Sequence, residues 1–351
     1  MTFTRSRPSA LIFVIAALAL ASPMTADGQE STVSRILLGS CVKQDQPMLI
    51  FDTIVEQDPD LFIFLGDNIY ADTTDTDTMR VKYAKLRADT GFAKLLKTCP
   101  VMATWDDHDY GANDAGAEYP KRAESQQIFV DFWADPAESP RRQRAGVYDA
   151  RVFGSGGKRV QIILLDTRYF RGPLKTGERR VGGSYVPTDD PNVTMLGDAQ
   201  WAWLELQLQQ PAEVRIIASG IQCISESAGH ETWSNLPRER QRLFDLIAKT
   251  KAGGVLLISG DRHWAELSVE KHSVPYPIYD LTSSSLNQIH ARGTPTDNHL
   301  RMLPTTYHQE NFGEIKIDWE KVDQQIQLRI LDIDGQVKLE SALHLSHLQA
   351  M

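Results

Sequence analysis

Side chains that can bind metals or move protons stand directly after short apolar runs of this sequence. They are Cys41, Asp67, Asp107, His108, Gln222, Asp261 and His263. An aspartate carboxylate can bridge two cations about 3.5–4 Å apart, and histidine, amide and thiolate groups can complete such a site. If these residues meet in space, their types predict a centre of two cations that activates water.

The expected crevice is strongly acidic. It would hold Asp67, Asp106, Asp107, Asp109 and Asp261. Carboxylates crowded into one cleft raise each other's pKa, and bound cations relieve the repulsion and reverse the local charge. A glycoside hydrolase that uses two of these carboxylates is the alternative. That alternative leaves the histidines and Cys41 without roles.

Single residues of the set also allow structural interpretations. Asp67 could cap a helix, and His263 alone could be a core histidine, although its pairing with Asp261 favours a functional role. Arg168 could bind a phosphoryl group, or it could be a partly buried partner of Asp166 or Asp109. The sequence has no P-loop, no Gly-x-Ser-x-Gly elbow and no His-Glu-x-x-His motif.

The apolar runs are too short and too rich in β-branched residues to be helices, so we interpret them as strands. They cover residues 36–38, 61–65, 101–103, 160–165, 214–218, 255–258 and 278–281. Helical patterns lie between them at residues 47–57, 197–208 and 237–249. This alternation predicts an α/β fold in which the polar residues gather at the carboxyl ends of the strands.

The end of the chain has a different pattern. Residues 314–319, 326–330 and 336–340 alternate apolar with polar side chains, and Asp334-Gly335 is a turn signal. We expect an antiparallel β-meander here, which could continue a second sheet packed on the first. Long loops are expected over residues 111–122, 136–146 and 172–194.

The chain has 351 residues and a formal net charge of −9, which argues against general nucleic-acid binding. Arg5 and Arg7 precede a short apolar run, so residues 1–21 are predicted to be a cleaved signal peptide, with an uncleaved N-terminal anchor as the alternative. The mature protein would then be exported, periplasmic or extracellular, without a membrane span. Cys99 and Cys223 could pair with each other or be buried as thiols.

Five motifs in this order resemble the alkaline phosphatase D (PhoD-like) family of the calcineurin-like metallophosphoesterase superfamily. They are Gly39-Ser40-Cys41, Gly66-Asp67-Asn68-Ile69-Tyr70, Trp105-Asp106-Asp107-His108-Asp109-Tyr110-Gly111, Asp166-Thr167-Arg168 and Gly260-Asp261-Arg262-His263-Trp264. The resemblance covers residues 33–345 as one domain. It implies a four-layer α/β/β/α sandwich with the β-meander at its C-terminal end. It also implies hydrolysis of small phosphomonoesters or phosphodiesters.

The resemblance further implies iron and calcium ions as cofactors, though other divalent metals are possible. The metal ligands would be Cys41, Asp67, Tyr70, Asp107, Gln222, Asp261 and His263. Asp67 would bridge the ions, and a metal-bound hydroxide would attack phosphorus. His108 stands at the position of the superfamily's catalytic histidine and would protonate the leaving group, with Arg168 as a phosphate clamp. A catalytically silent binding protein on the same scaffold remains an alternative.

Overall fold

The apolar runs form two six-stranded β-sheets that pack face to face, with helices covering both outer faces. The computed structural model describes residues 31–180, 182–226, 229–290 and 298–349. The predicted α/β/β/α sandwich is therefore confirmed. The proposed signal peptide, residues 1–21, lies outside the described residues, and the domain bounds 33–345 stay a prediction.

The strands, in chain order, are β1 (Arg35–Gly39), β2 (Leu61–Leu65), β3 (Val101–Thr104), β4 (Asp149–Phe153), β5 (Val160–Leu164), β6 (Thr176–Arg180), β7 (Gly183–Tyr185), β8 (Val214–Ser219), β9 (Val255–Ser259), β10 (Ala265–Glu270), β11 (Ile278–Ser283), β12 (Asn311–Asp318), β13 (Gln325–Asp332) and β14 (Val337–His344). The helices are α1 (Ile50–Glu56), α2 (Thr76–Ala88), α3 (Thr90–Thr98), α4 (Asp107–Tyr110), α5 (Arg122–Phe132), α6 (Pro140–Gln143), α7 (Gly197–Leu208) and α8 (Pro237–Thr250).

The first sheet has the order β14-β13-β12-β1-β2-β3, with β1, β2 and β3 parallel. Every residue of β2 is buried because successive side chains point to opposite faces, and both faces are covered. Ile63 packs in the core between the sheets, whereas Phe62 and Phe64 pack under the helices. Burying each of these phenylalanines contributes roughly 1.5–3 kcal/mol.

The second sheet has the order β10-β11-β9-β8-β5-β4. Its four central strands, β5, β8, β9 and β11, run parallel, and an antiparallel strand closes each edge. Helices α7 and α8 cover its outer face through Trp201, Leu204, Leu243 and Ile247. Since parallel strands share one direction, the polar residues that follow β5, β8 and β9 emerge at one edge of this sheet.

The C-terminal meander forms as predicted from β12, β13 and β14, but it extends the sheet that contains β1. Strand β12 pairs antiparallel with β1, with Arg35 opposite Lys316. Its alternating residues Ile315 and Ile317 face the core between the two sheets. The position of the meander could not be predicted locally, because it depends on a pairing between residues almost 300 positions apart.

Several elements were not predicted. Helices α2, α3 and α5 and strands β4 and β10 were missed, and the expected loop 172–194 contains the β6–β7 hairpin. Cys41, Cys99 and Cys223 are all buried free thiols, so Cys99 and Cys223 are not paired. Within the described part of the chain, no helix combines the length and apolarity needed to cross a bilayer.

Candidate active site

Tight turns at the ends of β1, β2 and β9 bring the candidate ligands together. The amide of Cys41 donates to the carbonyl of Gly66 at 3.3 Å, and the amide of Val42 donates to the carbonyl of Asp67 at 2.8 Å. Across the sheets, the amide of Leu286, which follows β11, donates to the carbonyl of Ser40, which follows β1, at 3.0 Å. These bonds hold the ends of strands from both sheets against each other.

The backbone is strained at four of the candidate ligands. Cys41, Asp67, Asp261 and His263 have φ values of 66°, 51°, 71° and 56°, in the left-handed region that side chains other than glycine seldom adopt. Such conformations cost on the order of 1–3 kcal/mol each and are found mainly where a function requires them. Their concentration here indicates that the turns are shaped to present these side chains.

A first cluster consists of Cys41, Asp67 and His263, whose ligand atoms all lie within 4.8 Å of one another. The Cys41 Sγ lies 3.5 Å from Asp67 Oδ2 and 3.3 Å from Ser284 Oγ. The Tyr70 hydroxyl lies 2.8 Å from His263 Nε2, so it borders the same cluster. A thiol, an imidazole, a carboxylate and a phenol therefore converge at one point.

Two further clusters continue from the first one. Asp67 groups with Asp107 and His108, and Asp107 groups in turn with Asp106 and Asp261, each within the same 4.8 Å limit. Because the clusters share Asp67 and Asp107, the donors form one continuous set rather than separate sites. This arrangement has enough oxygen donors for more than one cation.

Protein groups balance the charge of this set only in part. Burial raises the pKa of Asp107, but Arg168 and His108 outweigh it and hold that pKa below its usual value. Burial raises the pKa of Asp67 well above its usual value, and the neighbouring Cys41 and Asp107 raise it further, against the effect of His108. Burial likewise raises the pKa of Asp106 to about 8. Bound cations would remove this penalty because they stabilise the ionised carboxylates.

The donor set fits metal ions on two independent grounds. Its residue types are those that bind transition metals and calcium, with thiol and imidazole on one side and carboxylates on the other. In addition, the buried Asp107 Oδ1 and Gln222 Oε1 have no hydrogen-bond partner among the described residues. Buried polar atoms normally have a partner, so these oxygens are available as ligands.

Gln222 is buried after β8 and belongs to a polar group around β10. Its Nε2 donates to Glu266 Oε1 at 2.6 Å and to Thr282 Oγ1 at 3.0 Å, which fixes the amide. Its role as a ligand stays a prediction that rests on its free amide oxygen.

Arg168 does not occupy the position of a phosphate clamp. Its side chain is fully buried, its Nε donates to Asp106 Oδ1 at 2.6 Å, and its NH1 lies 2.7 Å from Glu231 Oε2. The sequence suggested Asp166 or Asp109 as its partner, but the guanidinium contacts neither, and only the Arg168 backbone amide donates to Asp166 Oδ1, at 2.9 Å. A fully buried guanidinium that is paired with two carboxylates stabilises the site and is not accessible to a substrate.

His108 lies at the mouth of the site. Its Nδ1 is 2.7 Å from Asp72 Oδ1, while the His108 backbone amide donates to Asp67 Oδ1 at 3.4 Å. Burial lowers the pKa of His108, but Asp67, Asp107 and Asp72 outweigh it and raise the pKa to about 10. Without cations at Asp67 and Asp107, this environment favours the protonated imidazole, which can donate a proton.

A cleft of about 310 Å³ opens beside these residues. His108, Asp261 and His263 line this cleft, together with residues 182–185 of the β6–β7 hairpin. This volume suits a small ligand rather than a polymer. Candidate metal ligands, the imidazole of His108 and a solvent-accessible cavity therefore occur at the same place.

Sequence reasoning missed Asp72 and Glu231, whereas it expected Asp109 in the crevice, where its carboxylate does lie beside Asp67. Asp72 lies 36 positions before His108, and only the folded chain brings the two side chains together. Asp109 is no ligand in the described clusters, because its carboxylate accepts from the amides of Asp67 and Asp106 at 3.1 and 2.7 Å. A carboxylate three residues after Asp106 at a helix start was the available signal for that capping role.

The chain matches the family model for PhoD-like phosphatases over residues 36–325. Alkaline phosphatase D of Bacillus subtilis (strain 168) is 24% identical over 250 residues, which cover 64% of this chain and 42% of that protein. The solved structure of PhoD superposes with a TM-score of 0.71 at 17% identity, covering 91% of this chain and 70% of that one. GAP50, the anchor in the inner membrane complex of Plasmodium, superposes with a TM-score of 0.57 at 13% identity, covering 90% and 89%.

Proposed function

Because the chain belongs to the PhoD-like phosphatase family, we propose that it is an exported, metal-dependent phosphoesterase acting on small phosphomonoesters, phosphodiesters or both. It spans 42% of the length of the curated relative, so the activity is argued from its own residues. The observation that carries the proposal is the continuous donor set, in which Asp67 and Asp107 are shared, next to the imidazole of His108.

The donor types divide the proposed metal ligands into two groups. Cys41, Tyr70 and His263, with Asp67, offer the softer sulfur, nitrogen and phenol donors that suit iron. Asp107, Asp261 and the amide oxygen of Gln222 offer oxygen donors that suit calcium. We therefore propose iron and calcium as the cofactors, with Asp67 between them.

Bound cations would supply Lewis acids for the phosphoryl oxygens and allow water to ionise near neutral pH. The protein's own contribution is positioning and proton transfer. Asp72 fixes the ring of His108 through Nδ1 and keeps it protonated, so that the ring can protonate the departing alkoxide. General-acid catalysis of this kind contributes about 10²–10⁴-fold to the rate.

The two alternatives explain less of the site. A glycoside hydrolase needs two carboxylates but has no use for Cys41, His108 and His263, which lie among them. A catalytically silent protein on this scaffold would not be expected to retain the proposed metal ligands in strained backbone conformations.

Hydrolysis of a chromogenic phosphomonoester and a chromogenic phosphodiester tests the proposal. We expect turnover by the wild type, loss with a strong chelator, and recovery with iron and calcium salts. His108→Ala should slow an ester with a poor leaving group about 10²–10⁴-fold. The control His272→Ala removes an exposed histidine and should leave the rate unchanged. No hydrolysis of either ester, with no metal by elemental analysis, would refute the function.

Export is a separate part of the proposal and rests on residues 1–21. Expression of the full chain should yield a mature protein that begins at Ser22, or at Asp27 if cleavage follows Ala26. N-terminal sequencing of the periplasmic or secreted fraction measures this directly. A product that retains Met1 in the membrane fraction would support the uncleaved anchor instead.

A further inference from the structure

One arginine lines the cleft next to the proposed catalytic groups. Arg262 lies between Asp261 and His263 in the chain, and all three border the cavity together with His108. Its side chain is only 7% exposed. Among the described residues that line this cleft, Arg262 is the sole arginine or lysine, whereas the carboxylates of Asp114, Glu231 and Asp261 line it too.

Arg262 is incompletely paired. Its NH2 forms an ion pair with the neighbouring Asp261 Oδ2, and its buried Nε has no hydrogen-bond partner among the described residues. Leaving a buried charged donor unsatisfied is unfavourable by more than the loss of an ordinary hydrogen bond. Arg144, Arg171 and Arg215 share this feature, but of these arginines Arg262 alone lines the cleft, where a bound acceptor could pair with its guanidinium.

The other buried arginines near the site are paired with carboxylates, although Arg168 NH2 and Arg171 Nε also lack a hydrogen-bond partner among the described residues. Arg168 pairs with Asp106 and Glu231, and the Nε of Arg171 lies 3.1 Å from Glu231 Oε1. Both lie outside the set of residues that line the cleft. The guanidinium that can meet an anion there is that of Arg262.

The local backbone keeps Arg262 in place. The residues on either side of it have positive φ values, and its amide donates to the carbonyl of Gly260 at 3.0 Å, which closes a tight turn. A guanidinium held by a strained turn is preorganised, so that less conformational entropy is lost when it binds. Its planar set of donors also matches the geometry of phosphoryl oxygens.

We infer that Arg262 binds a non-bridging phosphoryl oxygen of the substrate and favours phosphomonoesters over phosphodiesters. The inference rests on the proposed function and names the substrate class of that same site. A monoester has three non-bridging oxygens and a diester has two. The monoester therefore offers an oxygen to Arg262 beyond those that the cations attract.

The ion pair with Asp261 explains how the arginine becomes available. Asp261 is one of the proposed metal ligands, and a cation held there would compensate the charge that Arg262 now compensates. The guanidinium would then be available to an oxygen of the substrate. In this scheme metal loading and phosphate binding are cooperative.

The test compares Arg262→Gln with the control Arg215→Gln in the metal-loaded full chain. Arg215 has the same 7% exposure but lies at the amino end of β8, where it donates to the carbonyls of Ala212, Gly253 and Gln210. We expect R262Q to raise the KM for a phosphomonoester, and the Kd for inorganic phosphate by calorimetry, about 10- to 100-fold. The KM for a diester should rise less, and R215Q should change none of these constants.

Two further measurements keep a structural role separate from a binding role. Arg262→Lys retains the charge and should raise the phosphate Kd less than R262Q does. Elemental analysis should find at least as much metal in R262Q as in the wild type, because a positive charge near the cations has been removed. An unchanged phosphate Kd, a larger effect on the diester, or loss of metal in both variants would overturn the inference. Inactive wild-type protein whose phosphate binding still depends on Arg262 would refute the proposed hydrolysis alone.

Discussion

At the scale of single residues, His108 depends on a partner that the sequence did not reveal. Asp72 lies 36 positions away and contacts His108 Nδ1 at 2.7 Å. A carboxylate in this position fixes the tautomer and orientation of an imidazole and stabilises its charged form. We therefore regard Asp72 as a positioning residue for the proposed proton donor.

Substitution Asp72→Ala should lower kcat about 10- to 100-fold on an ester with a poor leaving group. The effect should be much smaller on a nitrophenyl ester, whose leaving group needs no proton, and KM should change little. Asp77→Ala is the matched control, because Asp77 is exposed on the first turn of α2 and carries the same charge. Equal losses on both esters would contradict the role of Asp72.

Arg168 is expected to act on stability rather than on substrate affinity. Replacing it by methionine would leave the buried carboxylates of Asp106 and Glu231 uncompensated, and breaking a buried pair in this way costs about 3–5 kcal/mol. Urea unfolding measures the loss. Lys249→Met removes the exposed pair with Glu205 and should cost less than about 1 kcal/mol. A stable R168M variant with a raised KM would restore the clamp interpretation.

The sequence predicted that Cys41, Asp67, Asp107, Asp261 and His263 would meet, because parallel strands deliver their carboxyl ends to one edge. It did not predict the surroundings of Arg168 or the pairing of Asp72 with His108. Those contacts join residues from loops and short helices, whose paths are set by packing across the whole fold. The catalytic and metal-binding roles themselves stay predictions.

At the scale of elements, the strands were easier to predict than the helices. Each central strand is a continuous apolar run because it is buried on both faces, and such runs stand out in a sequence. Helix α2 buries only Met79, Tyr83 and Leu86 from thirteen residues, so its apolar stripe is narrow. The acidic residues before it include its N-cap, Asp75, whose side chain accepts from the amide of Asp77.

The turn after β2 should tolerate no side chain at Gly66. This glycine has φ +99°, and an added Cβ would lie 2.4 Å from Asp106 Cβ and 2.6 Å from the Asp106 amide nitrogen. Gly66→Ala should therefore lower both the unfolding free energy and the metal content. The control Gly156→Ala, at φ +57° with nothing within 4 Å, should cost only the backbone strain of about 1–2 kcal/mol. Equal effects of the two substitutions would show that the close approach to Asp106 is unimportant.

At the scale of the whole molecule, the two sheets meet at an edge that gathers negative charge in an acidic chain. The formal net charge is −9, and the buried carboxylates at the site repel one another. Cations that bind only the folded form stabilise it in proportion to their concentration relative to Kd. Stability and metal loading should therefore be linked.

A chelator should lower the melting temperature of the wild type. With cations at 100 times their Kd, the stabilisation lost is about 2.7 kcal/mol. Calorimetric melting with and without chelator measures it, and readdition of metal should reverse the change. Asp67→Asn removes the shared carboxylate, so its melting temperature should respond much less. Identical responses of the two proteins would contradict the assignment of Asp67 as a ligand.

At Asp67 and Asp261, the left-handed backbone lowers the stability of the fold, while the side chains are proposed to be needed for the reaction. Glycine adopts these angles freely, so Asp67→Gly or Asp261→Gly would relax the backbone and delete a buried acid at once. Without cations, such variants should have a higher free energy of unfolding than the wild type, and they should not hydrolyse an ester. Selection of this protein for thermal stability alone would therefore favour variants without catalytic activity.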